Sequence, residues 1–136
     1  MKKIAINQSG FALITFLVFA IIAITVITAA ALIVTTSILA GSESERGLKA
    51  YYVAESGAED GMLRLLRNPS ISTATPYTVT TDNGNAVVTI QNSVVGGTIT
   101  DTILAVGTNG TTTRKIQAVT TFVSGKRNVT SWREIQ

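Results

Sequence analysis

Phe11 opens an apolar run that meets no charged residue until Glu43. Taken as a helix, residues 11–40 would be ~45 Å long at ~1.5 Å per residue, more than the ~30 Å hydrocarbon core of a bilayer. Thr15, Thr25, Thr28, Thr35, Thr36 and Ser37 are its hydroxyl-bearing interruptions. Such hydroxyls can bond back to the helix backbone, so lipid tolerates them. The expectation is a membrane-spanning helix.

A cleaved secretory signal is the first rival. Its apolar core runs ~7–15 residues and ends in small residues at the cut. Ala40, Gly41 and Ser42 could supply the small residues, but the run is about twice too long. Lys2 and Lys3 precede the span, and Glu43 and Glu45 follow it. The positive-inside rule therefore sets residues 1–10 in the cytoplasm and residues 42–136 outside. Ala12, Ala20, Ala23, Ala29, Ala30 and Ala31 would let helices pack closely in lipid, although such composition is ordinary for a span.

Gly41 and Ser42 could end the helix, yet a helical pattern resumes at once. Leu48, Tyr51, Tyr52, Ala54, Ala58, Met62, Leu65 and Leu66 recur at three- and four-residue steps. Asn68-Pro69 is the stop, because the residue before proline is biased away from helix. One long helix over roughly Phe11 to Arg67 is expected, apolar all round at first and amphipathic afterwards. The amphipathic half needs a cover for its stripe. Gly57 and Gly61, four apart, mark a side where another backbone could come close.

From Tyr77 the period changes to two and β-branched residues dominate. Strands are predicted at Tyr77–Thr81, Ala86–Gln91, Thr98–Val106 and Thr111–Val123. Turns are predicted at Asp82–Asn85, Val95-Gly96-Gly97 and Asn109-Gly110. Asn-Gly readily takes the positive φ angles of hairpin turns. On the last strand either Ile116, Ala118, Thr120 and Phe122 point inward, or Val119 and Val123 do; the sequence leaves both open. The fold class is α+β, with a roughly four-stranded antiparallel sheet packed on the second half of the helix. The organisation is a leader (1–10), a transmembrane half-helix (11–40), an amphipathic half-helix (41–69) and a sheet region with a C-terminal tail (70–136). With 136 residues, the globular part has roughly ninety, enough for one modest core.

The composition excludes several functions. The chain has no cysteine and no histidine, hence no disulfide framework, no Cys/His zinc site and no histidine-based catalysis. No phosphate-binding glycine loop or nucleophile–base pair is evident, so neither an enzyme nor a cofactor is expected. Glu55, Glu59 and Asp60 read as a solvated helix face. Asp82 is the one candidate metal ligand, in Asp82-Asn-Gly-Asn85, and a single carboxylate binds Ca²⁺ poorly; no metal is expected. Asn109-Gly-Thr and Asn128-Val-Thr match the glycosylation pattern, as chance allows in so Thr-rich a chain. The net charge of +3 is scattered, and without a basic run nucleic acid is not expected as a direct ligand.

These residues together resemble the type IV pilins and pseudopilins. Members have a short basic leader cut after a glycine, an aromatic residue at the new N-terminus, a long apolar helix and a β-sheet on its outer half. The carriers here are Lys2, Lys3, Gly10, Phe11 and the run to Ala40. Ala50-Tyr-Tyr-Val-Ala-Glu-Ser-Gly-Ala-Glu59 is similar to the segment after the span in minor pilins. Ser131-Trp-Arg-Glu-Ile135 looks like their C-terminal ending, with Gly107-Thr-Asn-Gly and Arg114-Lys-Ile as the strand pair before it.

The resemblance implies cleavage between Gly10 and Phe11 by a prepilin peptidase, N-methylation of Phe11, and assembly with other pilin subunits into a filament. Most members carry a glutamate where this chain has Thr15. In the family that carboxylate is thought to pair with a neighbour's N-terminal amine, a strong pair in lipid because a lone charge there is costly. Members without it are often minor or tip components, so Thr15 is the filament-contact candidate and points to a minor pilin. The expected place is the cytoplasmic membrane, then an extracellular or periplasmic filament. The alternative is an unprocessed single-pass protein whose sheet binds or senses a ligand outside the membrane.

Overall fold

The structure is a computed structural model that describes residues 8–72 and 75–136. One helix, α1, runs from Gln8 to Arg67. Five strands follow: β1 (Tyr77–Thr81), β2 (Gly84–Val95), β3 (Thr98–Asn109), β4 (Thr112–Val123) and β5 (Lys126–Ile135). They form one antiparallel meander in the order β1-β2-β3-β4-β5. The chain divides into two compact units, up to Gly41 and from Ser42 onward.

In the first unit, helix is the structure that satisfies every backbone group internally. All six predicted hydroxyls bond to carbonyls three or four residues back, from Thr15 to Phe11 (2.9 Å) through Ser37 to Ile33 (2.9 Å). Phe11, Phe16 and Phe19 are exposed, as are the leucines and isoleucines to Leu39. Among the described residues this is the one helix long and apolar enough to cross a membrane.

In the second unit, α1 ends as the sequence predicts. Asn68 N–H donates to Arg64 O (2.9 Å), and the Asn68 side-chain oxygen accepts from Ser70 N–H and Oγ. The buried face differs from the predicted stripe. Ala54, Ala58 and Leu65 are buried, but their companions are Gly47, Ala50, Val53, Gly57 and Gly61, whereas Leu48, Tyr52 and Leu66 are exposed. Close approach is the reason. A Cβ on Gly57 would lie 2.6 Å from Ala86 Cβ, and one on Gly61 would lie 2.8 Å from Ile103 Cγ2. On the sheet side, a Cβ on Gly107 would fall on Ala54 N and Ala50 O. Small residues on both surfaces let helix and sheet meet backbone to backbone, a gain in dispersion contacts that larger residues would forfeit.

The sheet face toward α1 carries Ala86, Val88, Ile90, Ile103, Ala105, Ile116 and Ala118, all fully buried. This decides the register left open in the sequence. Ile116, Ala118 and Thr120 point inward, Phe122 is half-buried, and Val119 and Val123 lie on the other face. The first hairpin turns one residue earlier than Asn-Gly suggests. Asp82 and Asn83 form the loop with negative φ, and Gly84, at φ 144°, begins β2 against Thr108.

The fourth turn is Ser124-Gly125, with φ 51° and 79°, the positive pair of a type I′ turn, which suits the twist of a two-residue hairpin. It opens a fifth strand in the segment read as a tail. Thr130 explains why the sequence hides it. Val119 pairs with Ser131 and Thr120 with Val129, so Thr130 is an extra residue, and its hydroxyl donates to Val119 O (3.0 Å). This β-bulge sets Val129 and Trp132, three apart, on one face and breaks the period of two.

Candidate functional site

The sequence-predicted processing residues sit at the start of α1. Gly10 is exposed, and a Cβ there would meet nothing within 4 Å. Phe11 is 77% exposed. Thr15, one helical turn on, spends its hydroxyl proton on Phe11 O at 2.9 Å. The group at this position is therefore neutral and tied to its own helix. Residues 1–7 of the expected leader lie outside the described residues. Asp82 sits exposed in the first hairpin turn, and among the described residues no three His, Cys, Asp or Glu side chains gather as a metal would need.

The second unit contains a polar cluster that the sequence did not disclose. Asp101 on β3 is fully buried and makes an ion pair with Arg127 on β5, whose side chain is 5% exposed. Asn92 on β2 donates to the other Asp101 oxygen at 2.8 Å. Arg127 also donates to Thr120 Oγ1 on β4 (2.7 Å) and to Pro69 O just past α1 (3.3 Å), and lies 5.4 Å from the Phe122 ring centre. The Arg127 guanidinium thus joins β5 to β3, β4 and the end of α1, its planar fork serving several acceptors at once, and Asp101 extends the cluster to β2 through Asn92. No spacing signal marks Asp101 and Arg127 as partners. The one hint is an acid in a run that otherwise alternates toward the core, and it gains meaning only once the register is known.

At the opposite edge, Tyr77 on β1 packs against the helix. The Arg64 guanidinium stacks 3.9 Å from its ring centre and is held by Asp60 at 2.7 Å. The buried Tyr77 hydroxyl has no hydrogen-bond partner among the described residues. Burial first, and then the neighbouring Asp60 carboxylate, raise its pKa well above the ordinary phenol range. Arg64 is held further into its charged form, chiefly by its hydrogen bond to Asp60. Shortly after the apolar stretch of α1, the Lys49 ammonium, bonded to Glu45 at 2.6 Å, lowers the Glu45 pKa.

A different surface lies beside β5. Glu59, Met62 and Leu63 of α1 and Val129 and Trp132 of β5 line an open groove of about 380 Å³. It arises because the bulge at Thr130 turns both apolar residues of β5 to the helix side, beyond what α1 covers. Among the described residues, Glu59 makes no ion pair. Comparison with known protein families, with curated proteins and with solved structures finds no match for this chain.

Proposed function

We propose that this chain is a structural assembly subunit, a minor pilin or pseudopilin that a prepilin peptidase cuts between Gly10 and Phe11. Lys2 and Lys3 hold the leader in the cytoplasm, and residues 42–136 lie across the membrane. The observation that carries this reading is the surface of residues 11–40: apolar, exposed along its length and directly preceded by Gly10. Leaving lipid exposes such a helix to water unless like helices receive it. Re-burial against neighbouring subunits offsets that cost. The neutral Thr15 supports a minor or tip position. It supplies no carboxylate for the amine of a subunit ahead, and a tip subunit has none ahead of it.

Intact mass of the mature protein tests the reading. The expected species lacks residues 1–10 and carries one methyl group on Phe11. Gly10→Leu is expected to keep its leader and stay out of filaments. If that variant is still cut and still assembles, the reading fails. A natural chain that is never cut favours the membrane-anchored binding or sensing module instead.

A further inference from the structure

We infer that the sheet face turned away from α1 binds a linear acidic polysaccharide. The strand register sorts the charges of the second unit by face. The chain has eight Asp and Glu residues, and none stands on that outer face. Glu43, Glu45, Glu55, Glu59 and Asp60 belong to α1, and Asp82 to the first turn. Asp101 pairs in register with Thr120, and Glu134 with Ile116, both on the helix side. The cations divide differently. Arg114 and Arg127 are committed to Glu134 and Asp101. Lys115, Arg133 and Lys126 stand on the outer face, in register with Val106, Gln117 and Val123. Lys126 and Arg133 are exposed and Lys115 is half-buried. Among the described residues none of the three makes an ion pair. Arg133 donates to Gln117 Oε1 at 3.0 and 3.3 Å, a neutral acceptor that orients the guanidinium and leaves its charge in place.

An acid-free face with spare cations attracts an anion, and the residues between the cations indicate which kind. Thr100, Thr102, Gln117, Thr121, Asn128 and Ser131 share the face. Their hydroxyls and amides both donate and accept, as sugar hydroxyls do. The aromatic residues of the sheet, Tyr77, Phe122 and Trp132, all pair in rows on the helix side. The outer face thus lacks the stacking platform on which nucleic-acid bases lie. Threonine and lysine without an aromatic residue are also the reverse of what the core of a protein interface favours.

The backbones of Lys115 and Arg133 stand about 8 Å apart across neighbouring strands, and Lys126 lies about 20 Å farther along β5. A strip of that length fits a chain whose charges recur at intervals, not one small ion. Each exposed contact is weak and salt-screened, and a polymer that engages several at once gains from their linkage. The face belongs to the second unit alone, so the proposal does not depend on cleavage at Gly10.

The test uses the full-length protein in detergent over immobilised alginate, dextran sulfate and neutral dextran. Binding is expected to alginate, to dextran sulfate or to both, and not to dextran; the better of the two identifies carboxylate or sulfate as the anion. It should weaken as salt rises from about 50 to about 300 mM. Lys115→Gln, Lys126→Gln and Arg133→Gln together are expected to lower affinity about tenfold or more, since one exposed pair is worth up to about fivefold. Arg46→Gln, Lys49→Gln and Arg67→Gln remove the same net charge from α1 and should change it less than about twofold. Gln91→Glu with Asn128→Asp sets two carboxylates on the face at nearly constant shape and should also weaken binding. Lack of binding to both charged polymers overturns the proposal, as do equal binding to dextran, equal losses in the two triple variants, or full affinity in either face variant. Tighter binding to single-stranded or duplex DNA than to both polymers overturns it too, in favour of nucleic acid. A chain that binds but is never cut keeps this proposal and loses the pilin assignment.

Discussion

Replacing Arg127 by methionine strands the most deeply buried charge in the described structure. Asp101 is fully buried, and its partners are Arg127 and the Asn92 amide. The substitution keeps most of the side-chain volume but removes the ion pair, the bond to Thr120 Oγ1 and the bond to Pro69 O. Breaking a buried pair from one side costs about 3–5 kcal/mol, because the remaining charge keeps its desolvation penalty. That range already includes the lost bonds of the removed guanidinium, the one to the helix end among them. Removing both charges should cost far less, since well-packed apolar replacements of a buried pair are often close to neutral.

Equilibrium urea unfolding of the full-length protein in detergent measures this. Trp132 is the only tryptophan and stands on the strand that Arg127 anchors, so its fluorescence reports the sheet. Arg127→Met should lose about 3–5 kcal/mol, and Asp101→Leu with Arg127→Met should lose clearly less than Arg127→Met alone. If Arg127→Met costs under ~1 kcal/mol, or if the double variant is worse than the single one, the buried charge is not what the pair neutralises and the reasoning is wrong.

Gly107→Ala is expected to destabilise by about 1–3 kcal/mol or more, because its methyl would fall on backbone atoms of Ala50 and Ala54 that cannot swing aside; the same urea unfolding reads it. Tyr77→Phe should stabilise the sheet unit by roughly 1 kcal/mol, since it removes a buried hydroxyl without a partner. The wild type should also lose stability above about pH 10, where the unfolded phenol ionises and the folded one, with its raised pKa, does not. That contribution is fully present below the unfolded pKa and falls as pH rises toward the folded one, so Tyr77→Phe should flatten this limb of an unfolding series between pH 8 and about 11. Ser124→Gly should raise the unfolding midpoint by an amount equal to ~1 kcal/mol, as glycine holds φ 51° without the steric cost that serine bears there.

Much of this architecture was legible in residue order because it depends on neighbours close in sequence. The long apolar stretch of α1 from Phe11 to Ala40 follows from a charge-free run, the helix end from Asn68-Pro69, and four strands from a period of two with glycine at the turns. The proposed processing residues Gly10 and Phe11 and the proposed contact residue Thr15 are read in the same way, as a linear pattern. The fifth strand was not legible, because the extra Thr130 makes Val129 and Trp132 look out of phase. Nor was the helix face. Hydropathy favoured Leu48, Tyr52 and Leu66, but contact distance favoured glycine and alanine where Gly107 brings the two backbones together.

The sequence by itself determined where the chain is apolar, where it turns and which elements it can form, because those properties belong to single residues and their near neighbours. Tertiary structure alone decided the rest: that Asp101 meets Arg127, that Tyr77 buries an unbonded hydroxyl, and that Met62, Leu63, Val129 and Trp132 share a groove with Glu59. Each of those depends on strand register and on how near the helix comes to the sheet. Both are set by packing among residues far apart in the chain, where a shift of one position turns every side chain to the other face.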